Sequence, residues 1–299
     1  MTTGTTTQTT TYTLEVPGAT LTYDVRPNDA STERPLFLIG TPMGASGFTT
    51  LSSHFGDRTV VTYDPRGTER SVLTDAASPI TPEIHADDLH RIIQEAGRGP
   101  VDLFASSGGA VNALALVAKH PEDVHTLVAH EPPLASLLPD REHALAACRA
   151  IYDTYMQKGA NAGMAHFIAV VSHRGPFTAE VAAQPAPDPA MFGMPTEDDG
   201  DRSDAMLAKT ILTIPSYEPD FDALRDAPTR IVMAAGEESG GASEGEMACR
   251  ASFAVANRLG TEPVIFPGGP GGFLGGEYGQ SGKPDEFAAK LREVLSARA

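Results

Sequence analysis

Residues 101–113 read Val-Asp-Leu-Phe-Ala-Ser-Ser-Gly-Gly-Ala-Val-Asn-Ala. A short apolar run meets two serines and two glycines, and an alanine-rich run follows. Strand, tight turn and helix in that order make a nucleophile elbow, with Ser107 at its apex. Ala105 and Gly109, two residues to either side, are small, as the close approach of strand and helix requires. The first helical N–H groups would point at the Ser107 hydroxyl, where developing negative charge is favoured. The chemistry open to such a serine is acyl transfer through a covalent intermediate. The competing reading is a Gly/Ser-rich turn with no chemistry.

The elements that must hold this turn can be read along the chain. Tyr12–Val16 and Leu21–Val25 suggest a leading hairpin. Leu36–Ile39, Thr59–Tyr63, Val101–Phe104, Val124–Ala129, Ile231–Ala235 and Val264–Phe266 read as strands. Helical spacing marks Thr81–Ala96, Gly109–His120, Glu246–Leu259 and Glu286–Ala297, and Thr81-Pro82-Glu83 resembles a capped first turn. Strands separated by helices of this length predict βαβ units and a mostly parallel sheet. Apolar runs without alternation fit strands covered on both faces. The rhythm breaks between Pro139 and Pro219. There the chain is first helical (Ala144–Met156, Ala162–Val171), then Pro- and acid-rich, then helical again over Ala205–Ile214. This stretch reads as an inserted cap roofing a substrate pocket, whose apolar residues Met164, Phe167, Met191, Phe192 and Met194 would line the pocket or pack as cap core.

Composition narrows the function. Against 22 Lys+Arg stand 39 Asp+Glu, a formal net charge of −17 in 299 residues. A field of that sign repels phosphate backbones and anionic lipid, so nucleic acid and membrane surfaces are not expected partners and a small molecule is. No apolar run has membrane-spanning length. The Thr-rich residues 1–11 lack the apolar core of a signal peptide and read as a flexible tail, so a cytoplasmic location is expected. Cys148 and Cys249 make no disulfide framework and are expected as buried small residues. No His/Cys/Asp/Glu grouping has metal-ligand spacing along the chain, and Glu197-Asp198-Asp199-Gly200-Asp201 lacks the ligand pattern of a calcium loop. No metal and no cofactor is expected.

With these residues in place the chain resembles the α/β-hydrolase superfamily over nearly all of Thr13–Ala297. The resemblance rests on Ala105-Ser106-Ser107-Gly108-Gly109, on the Gly40-Thr41-Pro42 loop, on the Asp64-Pro65-Arg66-Gly67 turn, and on a cap between the strands ending at Ala129 and Ala235. It implies the α/β-hydrolase fold: a mostly parallel central sheet flanked by helices, with core residues 12–138 and 220–299 and a helical cap, residues 139–219. It also implies an oxyanion hole built from the backbone N–H groups of Gly108 and Thr41, with Met43 as the other candidate donor. Ile39 stands where the family often has a histidine. The acid of many members would fall at Ser239, with Glu237 and Glu238 beside it. Other members, a group of haloalkane dehalogenases among them, carry the acid after the sixth strand, where this chain has Glu131.

The largest departure concerns the base. A serine hydroxyl is barely ionised at neutral pH and needs one. Look-alike enzymes read Pro-Gly-x-His-x-Gly-Phe after the last strand; here the loop is Pro267-Gly268-Gly269-Pro270-Gly271-Gly272-Phe273. By that register Pro270 occupies the lost histidine position, and proline relays no proton. Bases are recognised by geometry and not by chain order, so His173 in the cap is the candidate substitute base, ahead of His54. His130 adjoins Glu131, but neighbours at a strand end point to opposite faces. His85, His90, His120, His125, His143 and His166 fall on helix faces or element ends, in surface or capping roles. Serine at the apex, not aspartate, disfavours an alkyl-enzyme ester. Two readings follow. One is a serine hydrolase, carboxylesterase-like, acting weakly on a small ester or related acyl substrate. The other is a non-hydrolytic protein of the same fold that binds a small ligand under the cap, or catalyses a reaction needing no triad base.

Overall fold

The apolar, β-branched runs of the chain pair into one nine-stranded sheet. The computed structural model describes residues 8–97 and 99–297. The strands are β1 (Thr10–Val16), β2 (Ala19–Arg26), β3 (Leu36–Ile39), β4 (Val60–Asp64), β5 (Val72–Leu73), β6 (Val101–Ser106), β7 (Val124–His130), β8 (Arg230–Gly236) and β9 (Val264–Phe266). Their order is β1-β2-β4-β3-β6-β7-β8-β9, with β5 pairing β2. The β1–β2 and β2–β4 ladders are antiparallel, and every ladder from β4 to β9 is parallel. Parallel neighbours need crossover connections. The main helices are α1 (Pro82–Glu95), α2 (Gly108–Lys119), α3 (Arg141–Lys158), α4 (Ala160–Val171), α5 (Met247–Leu259) and α6 (Pro284–Ser296).

The sheet is covered on both faces, which is why β6 is buried along its whole length and shows no alternation. Leu103 packs with Ile92 and Leu114 on one face, while its neighbour Phe104 packs with Phe273, Phe287 and Leu291 on the other. Helix α1 begins as its sequence suggests. Thr81 Oγ1 accepts the Ile84 N–H at 3.4 Å, and Pro82 fills the first turn, where no N–H is needed.

Between β7 and β8 the chain is mostly helical. Helices α3 and α4 join at Gly159, whose φ of +88° suits a residue without Cβ. Shorter turns follow at Ala179–Ala182 and Pro189–Phe192, and a π-helical turn, Met206–Thr210, runs into Ile211–Thr213. Arg250 of α5 ties this segment to the sheet side. Its Nη1 and Nη2 donate to the two carboxylate oxygens of Asp140, and Nη1 donates to the Gly175 carbonyl at 3.0 Å. No helix among the described residues is long and apolar enough to cross a membrane.

The start of the chain departs from the sequence expectation. Thr10 and Thr11, placed in a tail by composition, are the first residues of β1 and pair with Val25 and Asp24. Their β-branched side chains suit a strand, and Thr11 Oγ1 donates to Asp24 Oδ1 at 2.5 Å. Residues 1–7 of that expected tail lie outside the described residues. The two-residue strand β5 was too short to show any period.

Candidate active site

Strand β6 ends at Ser106 and α2 begins at Gly108. Ser107, between them, has φ +55° and ψ −128°. A non-glycine residue in such a region costs on the order of 1–3 kcal/mol and persists only where its surroundings fix it. Here the Ser107 N–H donates to the His130 carbonyl at 2.9 Å, and the Ser107 carbonyl accepts the Ala110 N–H at 2.9 Å. A Cβ at Gly109 would lie 2.8 Å from Gly40 Cα, so only glycine lets α2 start this close to the loop after β3. The turn leaves Ser107 exposed, on the wall of a cavity of about 470 Å³.

The loop after β3 meets the same turn. A Cβ at Gly108 would lie 2.8 Å from the Thr41 carbonyl oxygen and 3.2 Å from Thr41 Cβ, so the two backbones are in contact. Gly108 is the first residue of α2, and its N–H has no acceptor within the helix. Thr41 is held from below: its Oγ1 donates to the Gly40 carbonyl at 2.6 Å and accepts Asn112 Nδ2 at 3.0 Å. Asn112 was not singled out from the sequence. The available signal was one amide in the otherwise apolar run of α2. The Asp64–Gly67 turn braces the loop from the side. Asp64 Oδ1 accepts the Ala45 N–H at 2.8 Å, while Arg66 forms a buried bidentate pair with Asp88 of α1 at 2.6 and 2.7 Å. Thr41 and Gly108 line the cavity; Met43 does not.

Glu131 follows β7 with φ +50° and is 2% exposed. Its N–H donates to the Ala234 carbonyl at 3.0 Å and its Oε1 accepts the Gly236 N–H at 2.8 Å. Its Oε2 is buried next to the Ser239 hydroxyl. Burial pushes its pKa up, and the Gly236 and Ser239 dipoles only partly oppose this. Ser106 pairs His130 across the β6–β7 ladder, so Ser107 and Glu131 stand side by side at adjoining strand ends. Ser239 is buried beside Glu131. Glu237 and Glu238 are occupied by Lys283, at 2.5 and 2.8 Å, and neither lines the cavity.

Pro270 lines the cavity together with Ser107, Thr41, Gly108 and Glu131. His173 is not brought to it: this side chain is partly buried, its ring tilted against that of Phe177 at 4.7 Å, with Nε2 3.3 Å from the Pro176 carbonyl. Among the described residues, no histidine lines the cavity. His130 packs on the opposite side, between Phe104, Phe266 and Phe287, and burial pushes its pKa down to about 3. His54 sits by Asp285, 3.6 Å away. Two surface assignments need correction. His85 is 1% exposed with both ring nitrogens unpartnered, its pKa pushed down to about 3 by burial, because α1 turns this position into the core. His166 is 6% exposed and shares a 2.9 Å hydrogen bond with Thr154 of α3.

The far wall is apolar and comes from α3, α4 and residues 206–215: Ile151, Phe167, Val170, Met206, Ile211 and Ile214. Cys148 also lines it, with a thiol that burial pushes up to about 12. Of the apolar residues expected to line the pocket or fill the cap core, only Phe167 reaches the cavity. Met164 packs against the core, whereas Met191 and Phe192 are 75% and 39% exposed, on a short turn that faces solvent. Elsewhere, His90 of α1 and His120 and Asp123 at the end of α2 bring three donor atoms within 4.8 Å. The His90 and His120 rings stack at 3.9 Å, and His90 Nδ1 lies 2.6 Å from Asp123 Oδ2. The grouping joins positions far apart in the chain, so linear spacing gave no sign of it.

The model of the alpha/beta hydrolase fold family matches residues 36–216. The chain belongs to the α/β-hydrolase family. A Bacillus subtilis (strain 168) relative named uncharacterized hydrolase YraK is 32% identical over 298 residues, covering 95% of each chain. Solved α/β-hydrolases share the architecture at much lower identity. The enol-lactonase of Burkholderia xenovorans LB400 superposes with a TM-score of 0.64 at 15% identity, covering 96% of this chain and 100% of that one. A carboxylesterase structure from the ammonia-oxidizing thaumarchaeon Nitrososphaera gargenis gives 0.65 at 15% identity, with coverage of 95% and 98%. The chain has the α/β-hydrolase fold, a mostly parallel sheet flanked by helices, in common with these proteins.

Proposed function

We propose that the chain is a serine hydrolase of small esters or related acyl compounds, with residues 139–219 as the cap that shapes its pocket. The observation that carries this reading is the strained Ser107 turn, which opens onto one cavity with Thr41, Gly108 and Glu131. Ser107 Oγ attacks the acyl carbon. The N–H groups of Gly108 and Thr41 receive the developing oxyanion, a preorganised arrangement that costs no reorganisation during reaction. Glu131 is the acid residue, set to accept an N–H from a base beside Ser107. Pro270 stands at the base position, so the chain's own residues leave the proton relay incomplete and turnover is slow. An oxyanion hole and binding without a working triad still retain about 10³–10⁴-fold over water.

The test is hydrolysis of p-nitrophenyl acetate by the parent, Ser107→Ala and Pro270→His. General-base catalysis contributes about 10²–10⁴-fold, so Pro270→His is expected to gain at least the lower end of that range, and Ser107→Ala to lose the parent's activity. Equal rates in all three forms would overturn the reading. The second reading, a ligand-binding protein without hydrolysis, is favoured by one observation: no histidine lines the cavity among the described residues.

A further inference from the structure

Away from the cavity, the fold gathers two imidazoles and a carboxylate at one place. His90 lies on α1, His120 follows the last residue of α2, and Asp123 closes the short turn Pro121–Asp123 that leads into β7. One donor atom from each lies within 4.8 Å of the others. Asp123 is held in place: Oδ1 accepts Gln94 Nε2 at 2.9 Å, and Oδ2 is 2.6 Å from His90 Nδ1. The His90 and His120 rings are nearly parallel, 12° apart, with centroids at 3.9 Å. Their side chains are 30% and 20% exposed, so both rings are reachable from solvent, while Asp123 at 1% forms the floor. Further acids surround them. Asp87 Oδ1 is 3.4 Å from His120 Nε2, and Glu122 Oε1 is 4.0 Å from His120 Nδ1. Lys119 pairs with Asp87 at 2.7 Å, and Arg91 is the other cation close to it. Three carboxylates against two cations, in a chain of net charge −17, keep the local field negative.

We propose that His90, His120 and Asp123 form a binding site for one zinc ion. The donor set decides the metal: imidazole nitrogens suit zinc, whereas magnesium and calcium take oxygen shells. Zinc bonds of about 2.0–2.2 Å set tetrahedral ligands about 3.3–3.6 Å apart. The three donors therefore close on an ion by shifts on the order of 1 Å. Rotation of the imidazoles supplies that shift, because the terminal torsion of histidine has broad minima. It also turns the rings out of their stack, so that their lone pairs converge. The rings bind neutral and Asp123 binds as the carboxylate; water from the solvent side completes four-coordination. The site stands apart from Ser107. Gly108 and His120 mark the two ends of α2, a helix of 12 residues and about 18 Å. Zinc here ties α1 to the end of α2 and the start of β7. It binds the folded chain, so it stabilises that chain by mass action.

The test uses the full chain, stripped of metal with EDTA and dialysed free of the chelator. Zinc chloride and magnesium chloride are titrated calorimetrically into the parent, His90→Ala, His120→Ala and His173→Ala, the last a histidine outside the cluster. The parent and His173→Ala are expected to bind one zinc per chain. His90→Ala and His120→Ala are each expected to bind it at least about 10–100-fold more weakly, a loss that follows even from removing a partner of a metal ligand. Thermal unfolding gives a second readout. At a zinc concentration between the two affinities, the unfolding temperature should rise in the parent and stay unmoved in the two cluster variants. Should an alanine variant fail to fold, His90→Gln keeps a hydrogen-bonding side chain there and carries the same expectation. No zinc binding by the parent, or equal affinity in the parent and the cluster variants, would overturn the site. Magnesium bound as tightly as zinc would overturn the assignment to nitrogen donors.

Discussion

At the scale of single residues, the cavity wall combines one strained serine with one buried carboxylate. Ser107 and Glu131 both have positive φ, and both are pinned by backbone hydrogen bonds to the neighbouring strand end. The Glu131 carboxyl has a folded-state pKa above its ordinary 4.5 because of burial. Below pH 4.5 both folded and unfolded chains hold that proton and the group contributes nothing. As pH rises through the folded value the unfolded chain ionises more readily, and stability is lost. Glu131→Gln keeps an acceptor for the Gly236 N–H and removes the charge. Thermal unfolding should therefore show this variant gaining on the parent at pH 8 and matching it at pH 4; a uniform loss at both would contradict the account. Asn112→Ala removes the amide that donates to Thr41 Oγ1. The expected result is a fall in kcat of about ten-fold with little change in KM, since loss of an oxyanion donor itself costs about 10²–10³-fold and Asn112 acts only through Thr41. The meeting of Ser107, Glu131, Thr41, Gly108 and Pro270 at one cavity was legible because each stands at a fixed place after a strand. Asn112 was not, because its role exists only once α2 lies against the loop after β3.

At the scale of elements, the geometry depends on close backbone approach. The helix starting at Gly108 fits because residue 109 has no Cβ to strike Gly40. Gly109→Val should cost about 1–3 kcal/mol through overpacking and abolish activity in whatever folds, read by thermal unfolding and ester hydrolysis together. The helical segment over the cavity hangs on Arg250 and Asp140, both largely buried. Burial alone would raise the Asp140 pKa, but Arg250 and the Phe177 N–H hold it below the usual carboxylate range. Arg250→Leu strands a buried carboxylate and should cost about 3–5 kcal/mol; a change under 1 kcal/mol by denaturant titration would show the tie to be unimportant. Strand and helix periods revealed nearly every element of the sheet layer. They could not reveal the Arg250–Asp140 tie, which joins residues far apart in the chain, nor β5, nor that the turn holding Met191 and Phe192 faces solvent.

At the scale of the whole molecule, the sheet separates chemistry from packing. Glu131 faces the cavity, and the adjacent His130 is buried among phenylalanines on the other face. His85 and His130 are both held near a pKa of about 3 by burial. Above pH 6.5 the imidazoles are neutral in both states and their contribution to stability is complete. As pH falls toward 3 the unfolded chain takes up protons the folded chain refuses, at about 1.4 kcal/mol per pH unit for each group. Unfolding temperature should therefore drop between pH 6.5 and 4, and His130→Phe should lessen the slope. The family and its architecture were readable because alternating strands and helices leave few ways to wind a parallel sheet. On the proposed reading the chemistry turns on one loop, and that reading can be put to trial directly. The purified chain is treated with a fluorophosphonate, and the labelled residue is identified by mass spectrometry in the parent, Ser107→Ala and Pro270→His. The account predicts slow labelling of the parent on Ser107, none in Ser107→Ala, and fast labelling of the same serine in Pro270→His. Rapid labelling of the parent with no gain in Pro270→His would show that a base is already in place, and labelling at any other residue would contradict Ser107 as the nucleophile.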